Sequence, residues 1–101
     1  MLVKREEYVR LQILIDMIVR TTPYFDRRFK KLPIATKQIA VKREKIFIEN
    51  PFDARLKIHK LHGKKREEWA YSVDFHYRIS FVFVSSDEVV YTDVGTHDDV
   101  Y

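Results

Sequence analysis

The sequence predicts a single α+β domain in the order β-α-α-β-β-β-β, with two N-terminal helices packed on one face of a small antiparallel sheet. Three observations lead there. Prolines punctuate only the first half, at Pro23, Pro33 and Pro51, and the segments between them carry helix formers and helical spacing. Beyond Pro51 the apolar period changes to two, the repeat of a strand buried on one face. The chain has 101 residues, 46% of them apolar and 14% aromatic, which suits one well-filled core and argues against disorder.

The elements follow in order. An edge strand is expected around Asp16 to Thr22, ahead of the first helix. In that helix Phe25, Phe29 and Leu32 recur at i, i+4 and i+7, one apolar stripe. The second helix runs from Ile34 to Glu49 and is stopped by Asn50-Pro51. Its apolar positions spread round more than one face, so it is expected to be covered on two sides. A short strand is expected within Leu56 to Leu61. In the next strand Trp69, Tyr71, Val73 and Phe75 alternate with Ala70, Ser72, Asp74 and His76, which places the first set in the core. Arg78 to Val84 and Val89 to Val94 complete a meander across the polar turn Ser85-Ser86-Asp87-Glu88. Residues 1–16 form an N-terminal extension to a domain of residues 17–101, and Tyr8, Leu11 and Ile15 in it suit an extra helix.

Composition limits the function. Without cysteine there is neither disulfide nor thiolate chemistry. No apolar run approaches the roughly 20 residues that span a bilayer, and Leu11 to Ile15 is too short for a signal-peptide core, so a cytoplasmic protein without a membrane partner is expected. His59 and His62 are spaced i, i+3, which a strand would put on opposite faces, so neither a metal nor any other cofactor is expected.

The net charge of +4 matters less than where it sits. Arg55, Lys57, Lys60, Lys64, Lys65 and Arg66 fall in one block with two histidines and no acid, whereas Ser85 to Tyr101 holds five acids and neither Lys nor Arg. Lys37, Lys42, Arg43 and Lys45 add cations from the second helix. Such a block either forms an ordinary solvated loop or holds several phosphates of a nucleic acid.

Five segments in order carry a resemblance: Glu49-Asn50-Pro51-Phe52 at the helix stop, Leu56-Lys57-Ile58-His59-Lys60-Leu61-His62-Gly63, Trp69-Ala70-Tyr71-Ser72-Val73, Tyr77-Arg78-Ile79, and the ending Gly95-Thr96-His97-Asp98-Asp99-Val100-Tyr101. Together they resemble the RelE-like toxins of type II toxin–antitoxin systems, most of all the YafQ, YoeB and HigB branches, over residues 17–101. The resemblance implies a metal-independent endoribonuclease that cleaves mRNA, often on the ribosome, and a cognate antitoxin that wraps it.

Such cleavage turns the RNA 2′-hydroxyl on the adjacent phosphate. It needs a base, an acid and cations facing the phosphate, and histidine suits either proton role. The resemblance assigns His97 as general acid or base, Arg78 as phosphate clamp, His59 as second proton carrier and Tyr101 as an aromatic that stacks on a base or positions the phosphate. Lys60 neighbours His59, and only one of the two can face the site from a strand. Asp74 and His76, spaced i, i+2, suit an orienting carboxylate–imidazole pair, although they align with YafQ-like toxins only across a gap. Arg55, Lys57, Lys64, Lys65 and Arg66 are the expected RNA-binding cations. The structural alternatives are a histidine that bonds the last turn for His97, an Arg78–Asp74 ion pair, and a core position for Trp69. Two rival functions share this fold: a ParE-like poison of DNA gyrase, and a decayed toxin that only binds its antitoxin. His97 together with Arg78 favours the nuclease.

Overall fold

The computed structural model describes residues 17–63 and 67–100. The helix expected within residues 1–15, the cations Lys64, Lys65 and Arg66, and Tyr101 lie outside the described residues.

The chain runs β1 (Ile18–Thr21), α1 (Pro23–Lys30), α2 (Ile34–Glu49), a 3₁₀ turn (Ala54–Leu56), β2 (His59–Lys60), β3 (Trp69–Ser72), β4 (Tyr77–Ser85), β5 (Glu88–Thr96) and a terminal helical turn α3 (His97–Val100). The strands form one sheet in the order β1-β5-β4-β3-β2, antiparallel throughout except that the edge strand β1 lies parallel to β5. This is the expected α+β architecture and element order.

Local chemistry explains the start of α1 and the stop of α2. Thr22 accepts a hydrogen bond from the Phe25 N–H at 3.1 Å, and Pro23 occupies the first turn of α1, where its missing N–H costs nothing. The same hydroxyl donates to the Tyr91 carbonyl, so one side chain both caps α1 and ties it to β5. At the end of α2, Asn50 is extended and its side-chain oxygen accepts the Phe52 N–H, which turns the chain past Pro51.

The core lies between α1, α2 and the sheet. Phe47 is wholly buried, stacks on Tyr71 at 4.6 Å and meets Phe81 edge-on at 4.9 Å. Phe25 packs on Tyr91 at 5.1 Å. The Tyr71 and Tyr91 hydroxyls bond each other at 2.7 Å, and burial pushes both phenols above their ordinary pKa. Trp69 joins the same core from β3, against Phe52 and Phe83. On the opposite face of β3, Ala70 meets Leu61 and Val100 in a second, smaller cluster, so α3 folds back onto the sheet.

Three local expectations are corrected. The helix α2 buries one stripe, Thr36, Ala40 and Phe47, whereas Ile34 and Val41 are exposed, so it is covered on one side only. The stretch Leu56 to Leu61 contributes just two strand residues, because the Asp53-capped 3₁₀ turn occupies its start. The strand expected over 69–76 ends at Ser72: Val73 is buried as expected, but Phe75 is 89% exposed. The reason lies in Asp74, whose side chain bonds the backbone ahead of it and breaks the alternation.

The last strand also carries a constraint at Gly95. A Cβ there would sit 2.4 Å from the Arg28 guanidinium and 2.7 Å from the Asp99 Cβ. Any larger residue would therefore displace the Arg28 guanidinium and press on Asp99 of the C-terminal turn.

Candidate functional site

The site is built around the β3–β4 turn. One Asp74 carboxylate oxygen accepts from the backbone N–H groups of both His76 and Tyr77, each at 2.8 Å. The Val73 N–H closes the turn on the Tyr77 carbonyl at 2.9 Å. Arg78, the next residue, donates Nη1 to the carbonyls of Asp74 (3.0 Å) and Tyr77 (3.2 Å), with a longer bond to Phe75 (3.4 Å). No ion pair joins Arg78 to a carboxylate among the described residues; it meets Asp74 through the backbone and keeps its charge available.

Beside this turn lies a cavity of about 420 Å³ lined by Arg43, Arg55, Lys57, Ser72, Asp74, Phe75 and Arg78. They come from three stretches of chain: α2, the 3₁₀ turn with the residue after it, and the β3–β4 turn with its flanking strand residues. Arg43 projects from α2 and donates Nη1 to the Arg55 carbonyl at 3.2 Å. Arg55 sits on the 3₁₀ turn, where Nε and Nη2 both reach the Asp53 carboxylate at 2.9 Å. That bond, with the Arg55 N–H, holds the Asp53 carboxyl down at about 2. Lys57 follows in the left-handed region (φ 51°), the one described non-glycine residue with positive φ. Ser72 and Arg78 are cross-strand partners of β3 and β4. Four cations thus face a cavity with one lining carboxylate, and only Arg55 is paired by an acid among the described residues. Such a lining attracts polyanions.

None of the described histidines lines this cavity. His59 places Nδ1 3.0 Å from the Lys57 carbonyl. A carbonyl only accepts, so Nδ1 carries the hydrogen of that bond. His97 begins α3, half exposed or more, with Nδ1 3.8 Å from the exposed Asp98 carboxylate. Its predecessors in β5 fix its place: Gly95 pairs with Arg78 and Thr96 with Tyr77, so His97 emerges at the same end of the sheet as the β3–β4 turn. The turn is held there by Asp99, whose carboxylate accepts from the Thr96 N–H and hydroxyl at 3.1 Å each and lies 3.3 Å from Arg28. Arg28 also donates to the buried Asp93 carboxylate at 2.9 Å. The Thr96 bonds, with the Arg28 charge, hold the Asp99 carboxyl below its usual range.

Of the expected site residues, the structure gathers Arg55, Lys57, Asp74 and Arg78 around one cavity, with His59 bonded to Lys57 and His97 at the same sheet end. His76 is exposed and its backbone, not its ring, engages Asp74, so the two are not an orienting pair. Lys60 is exposed on β2 opposite Trp69 and does not line the cavity. Ser72 and Phe75 are cavity residues without a sequence signal, the first an ordinary strand serine and the second expected in the core. Arg43 was visible only as one of several helix cations.

No protein-family model matches the chain, and comparison with curated proteins finds no match. Solved structures do match. The YoeB/ParE toxin from Agrobacterium tumefaciens superposes with a TM-score of 0.67 at 13% identity, over 80% of this chain and 99% of that one. YafQ from E. coli gives 0.63 at 15% identity, over 84% and 98%. A RelBE toxin–antitoxin complex from Mycobacterium tuberculosis gives 0.68 at 19% identity, over 81% and 99%. The sheet order, the paired N-terminal helices and these superpositions together establish that the chain has the α+β fold of the RelE, YafQ and YoeB/ParE toxins.

Proposed function

We propose that the chain is the toxin of a type II toxin–antitoxin pair and a metal-independent endoribonuclease that cleaves mRNA on the ribosome. The observation that carries this reading is the cation-lined cavity at the β3–β4 turn, where Arg78 has no acid partner among the described residues and His97 emerges at the same sheet end.

A phosphate in the cavity is held by Arg78, Arg43 and Lys57, which stabilise the charge that builds on it as a fifth bond forms. The 2′-oxygen attacks the phosphorus while the bond to the 5′-oxygen breaks. One of His97 and His59 removes the 2′-hydroxyl proton and the other protonates the leaving oxygen. The products are a 2′,3′-cyclic phosphate and a 5′-hydroxyl, with no net proton change. Tyr101 stacks on a neighbouring base, and Lys64, Lys65 and Arg66 extend the phosphate path. The fold shared with a toxin solved in complex with its antitoxin supports a cognate antitoxin partner.

The test is induction of the chain in a bacterium, with and without His97→Ala, while growth and new RNA 5′ ends are followed. Growth arrest with new 5′-hydroxyl ends that fall about 100-fold in the variant is the expected result, as for removal of a general acid or base. Arrest with intact RNA would replace the nuclease by a gyrase-type poison.

A further inference from the structure

The most exposed large apolar side chain among the described residues is Phe75, and it lies on the rim of the cation-lined cavity. A lone exposed phenylalanine is unremarkable in itself. Here the turn beneath it is braced: Asp74 bonds two N–H groups ahead, Val73 closes on Tyr77, and Arg78 holds the Asp74 carbonyl. These bonds break a strand pattern that would otherwise have buried the ring, and they fix the backbone from which it projects. Its ring contact is the His76 imidazole, edge-on at 5.4 Å. A solvent-facing ring on a braced turn, beside guanidinium and ammonium groups, matches the two parts of a nucleotide, a flat apolar base and an anionic phosphate.

We propose that Phe75 is the stacking platform for one unpaired base of the bound RNA, the phosphate next to that base lying in the cavity against Arg78, Arg43 and Lys57. This rests on the reading of the cavity as an RNA site and adds the residue that makes it prefer single strands, because a base inside a duplex offers no free face. Any base can stack, so Phe75 supplies affinity and register rather than base identity.

The test measures binding of the full chain to a short single-stranded 2′-O-methyl RNA, which lacks the attacking hydroxyl and survives, and to the same strand made abasic. Phe75→Ala should weaken binding to the base-bearing strand about 10- to 100-fold, the range for loss of one stacked base. It should leave the abasic strand unchanged, and Phe75→Trp should restore binding. Arg43→Ala should weaken both strands alike. If Phe75→Ala changes neither strand while Arg43→Ala weakens both, stacking is overturned and the RNA site stands. Equal loss on both strands under Phe75→Ala would reduce Phe75 to a structural part of the turn and overturn stacking too. If the wild-type chain binds neither strand at low salt, the RNA reading itself falls. Loss of antitoxin capture with unchanged RNA affinity would make the ring a protein contact instead.

Discussion

Lys57 shows at the scale of one residue how stability and function pull apart. Its left-handed backbone sends the chain from the 3₁₀ turn into β2, a conformation that suits glycine and costs a side-chain-bearing residue roughly 1 kcal/mol. The chain nevertheless carries a lysine there, with its side chain on the cavity and its carbonyl on His59. Lys57→Gly is therefore expected to raise stability by about 0.5 kcal/mol at most, the strain relieved less the roughly 0.5 kcal/mol that the added freedom of the unfolded chain takes back. The same change should weaken RNA binding several-fold, because one of the cavity cations is gone. Denaturant melts beside RNA titrations check both arms. Destabilisation by Lys57→Gly would show that the side chain, rather than the backbone, holds this corner.

At the scale of elements, the C-terminal turn α3 ties His97 to the sheet through a few polar bonds, and its pH dependence follows from Asp99. That carboxyl is held below its ordinary value of 3.8 by the Thr96 N–H and hydroxyl and by Arg28. A depressed folded-state pKa means the bonds contribute in full above the ordinary carboxylate range and are lost as pH falls through the depressed value. The Thr96 amide signal should thus hold steady from neutral pH down to about 4 and move only in stronger acid. In Asp99→Asn, which cannot titrate, that movement should vanish; a persistent shift would assign it to another group. Most elements were legible because each has a local cause: the Thr22-Pro23 start of α1, the Asn50-Pro51 stop of α2 and the period-two runs of β3 and β4. The turn at Asp74 was not. Alternation counts side chains, and it cannot see that a carboxylate will bond the backbone two and three residues on and turn Phe75 out to solvent.

The candidate site belongs to the scale of the whole molecule, which is why the sequence showed its cations but not their meeting. A charge block from Arg55 onward is readable in one dimension, whereas the approach of Arg43 from α2 and Arg78 from β4 to the same cavity depends on how α2 lies against the sheet. Convergence and mere net charge predict different salt behaviour. If the chain held RNA only through its overall +4, removing any one surface cation would matter about equally. If three cations, Arg43, Lys57 and Arg78, neutralise phosphates in the cavity, the logarithm of the binding constant should fall with the logarithm of salt at a slope of about −2, given roughly −0.7 per phosphate for a single strand. Arg43→Ala should then flatten the slope by about 0.7, and Lys31→Ala, outside the cavity lining, should leave it as it was. Equal slopes for the two variants would mean that the cations act as a diffuse field, and the cavity would lose its claim to be the place where the phosphate sits.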